Sequence, residues 1–552
     1  MSRPRHRLLD VTAFYDIPER FNMADYFLYD RLQEGLGEKA AIRTKDTSWT
    51  YAQTARDSSR FGNVLRSIGV EPEERVLISL PDQPEFAAGI FGTLNMGGVV
   101  GMVNSLLPAD DLAYFLEYTR ARALLCDADV AQKLAPHVNR FPLLKAVIVA
   151  AERPPQGRKF RLYRDEMVNA SDRRDPWPTT KDDPAYWLFT SGTTGKPKAA
   201  MHLHHDFPWN CERYAKRVLG YRRDDVTLSV AKLYFGYGTG TNLFFPFSVG
   251  ATTCLFPEKA APETLFENIE RFRPTILTSV PTSINAMASH ADAAKHDLSS
   301  LRFVLSAGEA LPPELYHKWV KAFGGEILDG IGSAETFHIY ITNAPGDVVP
   351  GSLGRLVPGY EAKIVGPDGN EVEGEGIGTL WVKGDSAAVG YWQAHEKSKE
   401  TFQGDWVRTA DLFKRDAEGR FWYSGRADDL LKVGGLFVSP MEIEDVLLKQ
   451  AAVAECCVVS YQESGLDKPI AFVVLKPGHS PDEHLAVELA RSVKSQLAAY
   501  KFPRKVCFVD ILPRNDRGKV ERKRLRDDVA SNGLAAAFDT EAALKSKQGV
   551  VH

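Results

Sequence analysis

The sequence predicts an α/β fold of mixed α+β layers, with a large N-terminal domain and a small C-terminal α+β domain. Its 552 residues are too many for one compact core, so two or three domains are expected. Over residues 1–150, short apolar strands alternate with helical stretches, a pattern typical of parallel strands layered with helices. A shorter, more basic stretch begins at Asp428. We therefore place the domains at residues 1–427 and 428–552.

The N-terminal domain is predicted to consist of stacked α/β subdomains plus a β-barrel-like part. A helix is predicted at residues 85–96, where Gly97 and Gly98 end it. From Pro350 the sequence changes to short strands punctuated by glycine, which favours the barrel-like part. The predicted strands of this domain are residues 75–80, 123–127, 145–150, 185–189, 275–279, 302–306, 362–365 and 378–382.

The C-terminal domain is predicted to mix both element types. Its predicted helices are residues 440–449 and 482–499, and its predicted strands are residues 456–460, 470–475 and 506–509.

Composition narrows the class of protein. The net charge is -4 with Lys and Arg dispersed among the acids, so nucleic acid is not expected as a partner. No apolar run approaches the roughly 18 residues of a membrane span, and the basic residues 1–9 precede no apolar core. The six cysteines form no C-x-x-C pair and are expected to be reduced packing residues. A cytoplasmic location is therefore expected. A homodimer is possible, but the sequence does not decide the oligomeric state.

The loop from Thr190 to Lys198 reads T-S-G-T-T-G-K-P-K and carries the strongest chemical signal. Six small residues leave backbone N–H groups accessible, while four hydroxyls and two lysines add donors and positive charge. Such a loop suits a polyphosphate. It is not a Walker loop, because Lys196 is followed by Pro197 rather than Ser or Thr. The alternative is a flexible surface turn.

The loop resembles the phosphate loop of the adenylate-forming superfamily, which includes acyl- and aryl-CoA ligases, peptide-synthetase adenylation domains and firefly luciferase. Further motifs follow in the same order, so the resemblance extends over about residues 20–528. It implies ATP-dependent activation of a carboxylic acid. The ATP- and AMP-binding residues that it implies are Thr190, Ser191, Gly192, Thr193, Thr194, Gly195, Lys198, Gly308, Glu309, Ala310, Asp329, Gly330, Ile331, Gly332, Asp411 and Arg426.

A second motif, G-S-A-E, ends at Glu335 and resembles the superfamily's glycine-x-threonine-glutamate motif. The resemblance implies that Glu335 holds Mg²⁺, a cation that prefers carboxylate and phosphate oxygens. This chain has Ala334 where the family usually has threonine, which removes a hydroxyl expected at the α-phosphate. One lost hydrogen bond is worth about 1 kcal/mol, so we expect a modest change in activity rather than a loss of function.

Four further positions are implied in the C-terminal part. Lys519, preceded by a glycine, matches the lysine that stabilises charge during adenylate formation. Asp428 matches the hinge about which a mobile C-terminal domain rotates after adenylation. Gly434 and Gly435 would then line the passage for the thiol of coenzyme A.

An aromatic and glycine-rich run at residues 231–252 indicates the acid, because flat walls suit a flat ring. The run resembles the substrate segment of benzoate-type CoA ligases, although an aromatic core strand is the alternative interpretation. The resemblance implies an aryl-acid site of Phe235, Gly236, Tyr237, Ala307, Gly332, His338 and Lys519.

Gly236 and His338 favour a ring with a small polar group. Benzoate ligases usually have alanine at the position of Gly236, so this chain has extra room, and His338 could hydrogen-bond the group. The leading acid is 2-aminobenzoate (anthranilate), followed by hydroxybenzoate or benzoate.

The function implied is thus an AMP-forming aryl-CoA ligase that uses ATP, Mg²⁺ and coenzyme A. One alternative is an adenylation enzyme that loads a carrier-protein thiol. Another is a nucleotide-binding regulator without catalysis, against which Lys519, Glu335, Asp411 and Arg426 speak. A local cluster of His202, His204 and His205 could be a metal site, but packing and capping is the favoured interpretation.

Overall fold

The computed structural model describes residues 15–191, 196–374, 376–426, 429, 431–433, 436–463, 466–498, 500–514, 520–534 and 537–546. The chain divides into two compact units. The first unit is Met1–Ala362 with Val382–Arg408, and the second is Lys363–Trp381 with Thr409–His552. The predicted mixed α/β fold, with a large N-terminal part and a small α+β C-terminal part, is confirmed. The domain boundary at Asp428 stays a prediction.

A seven-stranded sheet forms one layer of the first unit. Its strands are parallel except for the last pair, which is antiparallel. In spatial order they are Phe160–Leu162, Ala146–Val149, Ala123–Cys126, Arg75–Ser79, Val99–Met102, Pro184–Ser191 and Pro197–Leu203. The strands predicted at residues 75–80, 123–127 and 145–150 are thereby confirmed to within a residue or two.

A nine-stranded sheet forms another layer of the same unit. Its central strands are parallel and its outer strands antiparallel. In spatial order they are Arg355–Leu356, Ile339–Thr342, Glu326–Gly332, Phe303–Ser306, Ile276–Ser279, Val226–Ser229, Thr252–Cys254, Ala40–Arg43 and Ser48–Thr50. In such sheets ligands bind beyond the carboxyl ends of the parallel strands.

Helices cover these sheets, and local signals explain their limits. Thr50 and Gln53 form a capping box that starts the helix Tyr51–Ser67. This helix packs closely on Pro84–Asn95, since a Cβ at Gly92 would lie 2.6 Å from the carbonyl oxygen of Ser58. The other α-helices of the unit are Asp30–Gln33, Ala109–Thr119, Ala128–Leu134, Tyr163–Asn169, Asp206–Cys211, Gly236–Thr239, Phe245–Val249, Pro262–Phe272, Pro281–Ala288, Pro313–Phe323 and His395–Thr401.

Shorter helical turns complete the first unit. The π-helical turns are Asp25–Tyr29, Glu212–Val218 and Gly240–Phe244, and the 3-10 turns are Val138–Arg140, Ala293–Lys295 and Ala334–Thr336. Among the described residues of the chain, no helix has both the length and the apolar character needed to cross a membrane.

A five-stranded sheet is formed by strands between residues 361 and 426. Its strands are Glu361–Val365, Gly378–Lys383, Phe402–Gln403, Trp406–Arg415 and Phe421–Arg426.

The remainder of the second unit is an α+β layer. Its strands are Leu431–Val433, Leu436–Val438, Val453–Glu463, Leu466–Leu475, Lys505–Phe508 and Phe538–Asp539, and its helices are Pro440–Leu448, Glu483–Gln496, Arg522–Asn532 and Thr540–Ser546. All five elements predicted between residues 440 and 509 are confirmed, with limits that differ by a few residues.

Candidate active site

The phosphate loop joins the last two strands of the seven-stranded sheet. Thr190 lies opposite Lys198, and Ser191 lies opposite Pro197, in antiparallel register. The loop is therefore the connection of a hairpin at the edge of the sheet. Residues 192–195, which include four of the predicted phosphate-binding positions, lie outside the described residues. The sequence predicted the strand that enters the loop but missed the returning strand Pro197–Leu203.

The helix Ala109–Thr119 supports the returning strand. The hydroxyl of Tyr114 donates to the carbonyl oxygen of Pro197 at 2.9 Å, and the backbone N–H of Ala199 donates to the hydroxyl of Tyr118 at 3.3 Å. The ammonium of Lys196 lies 4.9 Å from the centroid of the Tyr114 ring, a cation–π contact. The base of the loop is thus fixed on one side by two tyrosines.

Lys198 lies in a cluster of charges. Burial and the positive charge of Lys397 lower the pKa of Lys198, whereas Glu400 and Glu335 act in the opposite direction. The charge of Glu335, the predicted Mg²⁺ residue, thus acts on a lysine of the phosphate loop. A polyphosphate near both would meet a cation and a carboxylate.

Glu335 lies on the 3-10 turn Ala334–Thr336 and is half-buried. The hydroxyl of Tyr391 donates to its Oε1 at 2.6 Å, and the backbone N–H of Ala388 donates to its carbonyl oxygen at 2.8 Å. These contacts orient the carboxylate. Mg²⁺ is commonly held by one or two carboxylates together with substrate phosphates, so this donor set fits the ion.

The chain that follows Glu335 makes a tight reversal. Phe337 has a φ of +67°, and the backbone N–H of His338 donates to the carbonyl oxygen of Thr336 at 2.9 Å, as in a γ-turn. The ring of Phe337 is buried and stacks on Phe207 with centroids 3.5 Å apart. A non-glycine residue in this conformation is strained, and the strain persists because packing fixes it.

His338 is buried beside Tyr237. Its Nε2 lies 3.2 Å from the carbonyl oxygen of Tyr237, and the ring centroids are 5.4 Å apart. A carbonyl oxygen only accepts, so Nε2 carries the hydrogen and Nδ1 is left as an acceptor. Burial lowers the pKa of His338 to about 3, which keeps the ring neutral. Within the described part of the chain, neither Nδ1 of His338 nor the Tyr237 hydroxyl has a hydrogen-bond partner.

Residues 236–249 of the aromatic run are helical, so the alternative interpretation of the run as a core strand is wrong. Its glycines permit the close packing of the helix. A Cβ at Gly240 would lie 2.3 Å from Cδ2 of His338, so only glycine leaves room for that ring. Sequence reasoning missed Gly240, although the G-Y-G-T-G spacing was a signal. At Gly236 a Cβ would lie 3.2 Å from Cδ2 of Leu188, the end of a flexible side chain.

A buried carboxylate supports the start of this segment. Asp82 follows the strand Arg75–Ser79, and its Oδ1 accepts from the backbone N–H of Leu233 at 2.8 Å. Burial raises the pKa of Asp82 to about 6, and the nearby Lys232 opposes the shift. The sequence analysis did not single out Asp82, because its partner lies 151 residues away.

The predicted adenine-side residues lie at the carboxyl ends of two neighbouring parallel strands. Ser306 and Asp329 are register partners, and Ala307, Gly308 and Glu309 follow directly. Gly308 has a φ of +91°, which favours glycine.

Two carboxylates at this edge differ in their bonding. Glu309 Oε2 accepts from the backbone N–H of Thr282 at 3.2 Å and from its hydroxyl at 2.8 Å. Asp329 is buried, and its Oδ1 has no hydrogen-bond partner among the described residues. Burial raises the pKa of Asp329 to about 8.

Asp411 and Arg426, the predicted ribose pair, belong to the second unit. They lie directly opposite each other on the antiparallel strands Trp406–Arg415 and Phe421–Arg426. The hydroxyl of Tyr423 lies 3.5 Å from Oδ1 of Asp411. Four further predicted positions of this part of the chain, Asp428, Gly434, Gly435 and Lys519, lie outside the described residues.

His202 and His205 both lie beside the carboxylate of Asp206, whereas His204 contacts backbone elsewhere. His202 lies between Asp206 and the carbonyl oxygen of Ala334, at 2.6 and 2.7 Å. His204 Nδ1 accepts from the backbone N–H of Met23 at 3.1 Å, and His205 Nδ1 lies 3.0 Å from the carbonyl oxygen of Lys181. The described residues contain no group of three or more side chains arranged to hold a metal ion. These contacts fit the interpretation as packing and capping residues.

Comparison with known proteins defines the class. Residues 30–392 match the AMP-binding enzyme family, and residues 442–519 match the AMP-binding enzyme C-terminal domain. The chain therefore belongs to the adenylate-forming family of AMP-binding enzymes. The resemblance inferred from the sequence is confirmed.

Individual relatives are acid–thiol ligases. Over 92% of its length the chain is 40% identical to a benzoate–CoA ligase of Thauera aromatica, of which it covers 96%. It resembles the crystal structure of the anthranilate CoA ligase AuaEII in complex with anthranoyl-AMP, with a TM-score of 0.88 and 38% identity over 93% of this chain and 98% of that one. It also resembles the crystal structures of a benzoate CoA ligase from Burkholderia xenovorans LB400. The TM-score is 0.84 and the identity is 39%, over 92% of this chain and 100% of that one. The predicted enzyme class, an AMP-forming acid–thiol ligase, is thereby confirmed.

Proposed function

We propose that the chain is an aryl-CoA ligase that activates a benzoate-type acid with ATP and then transfers the acyl group to coenzyme A. The carboxylate oxygen would attack the α-phosphorus, with release of pyrophosphate, and the thiol would then displace AMP from the acyl-adenylate. The observation that carries the proposal is that one fixed turn presents both Glu335 and His338. A metal-binding carboxylate and a ring-facing histidine, three residues apart, would hold nucleotide and acid side by side.

Glu335 and the phosphate loop are proposed to bind the nucleotide. Mg²⁺ on Glu335 would offset negative charge on the phosphates. Thr190 and Lys198, at the base of the hairpin, support this role because their strands bring donors and a cation to the sheet edge. Asp329, Gly330, Ile331 and the segment after Ser306 would take the adenine side, and Asp411 with Arg426 the ribose.

The aryl acid is proposed to lie against Tyr237, Gly236 and His338. Nδ1 of His338 is a neutral, buried acceptor, so it favours a ring substituent that donates a hydrogen bond. An amino or hydroxyl group meets this requirement, whereas unsubstituted benzoate leaves the nitrogen unpaired. We therefore rank 2-aminobenzoate first, then hydroxybenzoate, then benzoate. The similarity to a ligase solved with anthranoyl-AMP supports the first place of 2-aminobenzoate.

The C-terminal residues complete the proposal on the strength of the family resemblance. Lys519 would stabilise charge during adenylation, Asp428 would be the hinge, and Gly434 with Gly435 would line the path of the thiol. We further propose a cytoplasmic location, which suits six cysteines that are all unpaired.

Acid-dependent exchange of labelled pyrophosphate into ATP tests the first half-reaction. The panel should contain 2-aminobenzoate, the hydroxybenzoates, benzoate, cyclohexanecarboxylate and octanoate. We expect exchange with the aryl acids in the ranked order and little with the aliphatic acids. Exchange confined to aliphatic acids, or none with any acid, would refute the proposal. Offering coenzyme A and a holo-carrier protein in parallel then identifies the acceptor.

A further inference from the structure

A buried chain of hydrogen bonds leads from Asp206 through His202 to the turn that carries Glu335. We propose that the His202–Asp206 pair holds one proton between its side chains and, as a pair of positioning residues, fixes the Glu335 turn for the divalent cation. This inference rests on the proposed function in one respect, which is that Glu335 binds Mg²⁺.

The geometry fixes where the protons lie. His202 Nε2 is 2.7 Å from the carbonyl oxygen of Ala334, which can only accept, so Nε2 carries a hydrogen. His202 Nδ1 is 2.6 Å from Asp206 Oδ2. A neutral ring and an ionised carboxylate would place two lone pairs against each other at this distance, so a second proton must lie between these atoms.

The second proton belongs on the ring. Asp206 Oδ2 also accepts from the backbone N–H of Leu203 at 3.2 Å, a bond that favours the charged carboxylate. Both side chains are fully buried, and a buried charge requires a paired and hydrogen-bonded partner. The proposal places this proton on the ring, so that the bond of His202 to Ala334 is charge-assisted, which is stronger than a neutral hydrogen bond.

The Ala334 bond is one of several that hold the turn. The backbone N–H of Ala388 donates to the carbonyl oxygen of Glu335. The hydroxyl of Ser386 donates to the backbone carbonyl oxygen of Thr336 at 2.9 Å. His202 is the charged member of this set, and it comes from the strand that follows the phosphate loop. The pair thus couples the strand after the loop to the carboxylate that would face the phosphates.

His204, one residue beyond the end of this strand, provides a control. It is also fully buried, and it also makes a side-chain hydrogen bond to backbone, but its partner is Met23 rather than the Glu335 turn. Burial lowers the pKa of His204 to about 3, so this ring is neutral. His204→Phe removes one buried side-chain hydrogen bond and His202→Phe removes two, and only His202→Phe removes a bond to the Glu335 turn.

The first test is spectroscopic and does not depend on turnover. In the full-length protein with ¹⁵N-labelled histidine at neutral pH, the ring resonances can be assigned by comparison with the His202→Phe and His204→Phe proteins. We expect two protonated ring nitrogens for His202 and one for His204. A single protonated nitrogen on His202 would overturn the proposal.

The second test measures the Mg²⁺ concentration that gives half-maximal pyrophosphate exchange. Loss of a residue that orients a metal ligand commonly costs about tenfold to a hundredfold in metal affinity, so we expect a rise of that size for His202→Phe. Asp206→Asn, which can keep a neutral hydrogen bond to the ring, should give a smaller rise, and His204→Phe almost none. Equal rises for His202→Phe and His204→Phe, at similar losses of thermal stability, would show a merely structural role and overturn the inference.

Glu335→Gln separates failure of this inference from failure of the proposed function. If Glu335→Gln leaves the Mg²⁺ requirement unchanged, Glu335 is not the metal ligand and both proposals about it are wrong. If Glu335→Gln raises the requirement and His202→Phe does not, only the positioning role is wrong.

Discussion

His338 donates from Nε2 to the backbone carbonyl oxygen of Tyr237 at 3.2 Å, and this bond leaves Nδ1 as the ring nitrogen that can accept a hydrogen bond. The remaining Nδ1 is a buried acceptor without a partner among the described residues. Because the ring is neutral, it discriminates by hydrogen bonding and not by charge. The preference for one aryl acid over another should therefore depend on donor groups of the ring.

His338→Phe should reduce the preference for 2-aminobenzoate. Phenylalanine keeps a flat ring in the same place but cannot accept a hydrogen bond. One such bond is worth about 1 kcal/mol, so the ratio of kcat/KM for 2-aminobenzoate to that for benzoate should fall roughly fivefold to tenfold. Steady-state kinetics with both acids measure the ratio. An unchanged ratio would show that Nδ1 does not contact the substituent.

Gly236→Ala should narrow the substrate range toward unsubstituted benzoate. The added methyl meets only the end of the Leu188 side chain at 3.2 Å, so we expect the protein to fold. The methyl would occupy the space that a ring substituent needs. The acid panel in the exchange assay measures the profile, and a profile identical to that of the unaltered protein would discard this role.

Gly240→Ala is the contrasting variant for Gly236→Ala. Its methyl would meet the ring of His338 at 2.3 Å, so the histidine must move. All aryl acids should then lose activity together, without the selective loss expected of Gly236→Ala.

Asp329→Asn should change how stability depends on pH. Burial raises the pKa of Asp329 from 3.8 to about 8, so the folded protein holds this proton more tightly than the unfolded chain. The stability that it contributes is fully present below pH 3.8 and is lost as the pH rises through about 8. The asparagine variant lacks this loss, so its free energy of unfolding should improve relative to the unaltered protein between pH 4 and 8, by at most about 1.4 kcal/mol per pH unit. Urea unfolding of the protein without nucleotide measures the difference, and a difference that does not vary with pH would contradict the raised pKa of this buried carboxyl group.

Lys519→Ala should separate the two half-reactions. Loss of a placed cation at the developing charge costs roughly 3–4 kcal/mol, so adenylate formation should fall by orders of magnitude. Thioester formation from supplied acyl-adenylate should be largely intact. Equal loss of both half-reactions would remove Lys519 from the adenylation step. Because the residue lies outside the described part of the chain, this prediction depends on the family resemblance.

Local patterns were sufficient for much of the fold. The buried strand at residues 75–80 and the helix before Gly97 follow from apolar periodicity and glycine, which act over a few residues. The motif residues Thr190, Glu335 and Asp329 could likewise be found because each belongs to a short, dense pattern.

Other features of the site depend on partners far apart in the sequence. The bond of His202 to Ala334 spans 132 residues, and that of Leu233 to Asp82 spans 151. Neither can be inferred from spacing along the chain. The aromatic run was also ambiguous, since Phe244, Phe245 and Phe247 are buried on several sides and show no single apolar face.

The central claim is that an aromatic acid is converted through its adenylate to a coenzyme A thioester. The most direct measurement is mass spectrometry of single-turnover mixtures that contain the protein, ATP, Mg²⁺ and 2-aminobenzoate. Without coenzyme A, the account predicts 2-aminobenzoyl-AMP and pyrophosphate in equal amounts. On addition of coenzyme A, the adenylate should disappear as the thioester and AMP form. Formation of ADP, or a thioester that arises without any adenylate, would contradict the account.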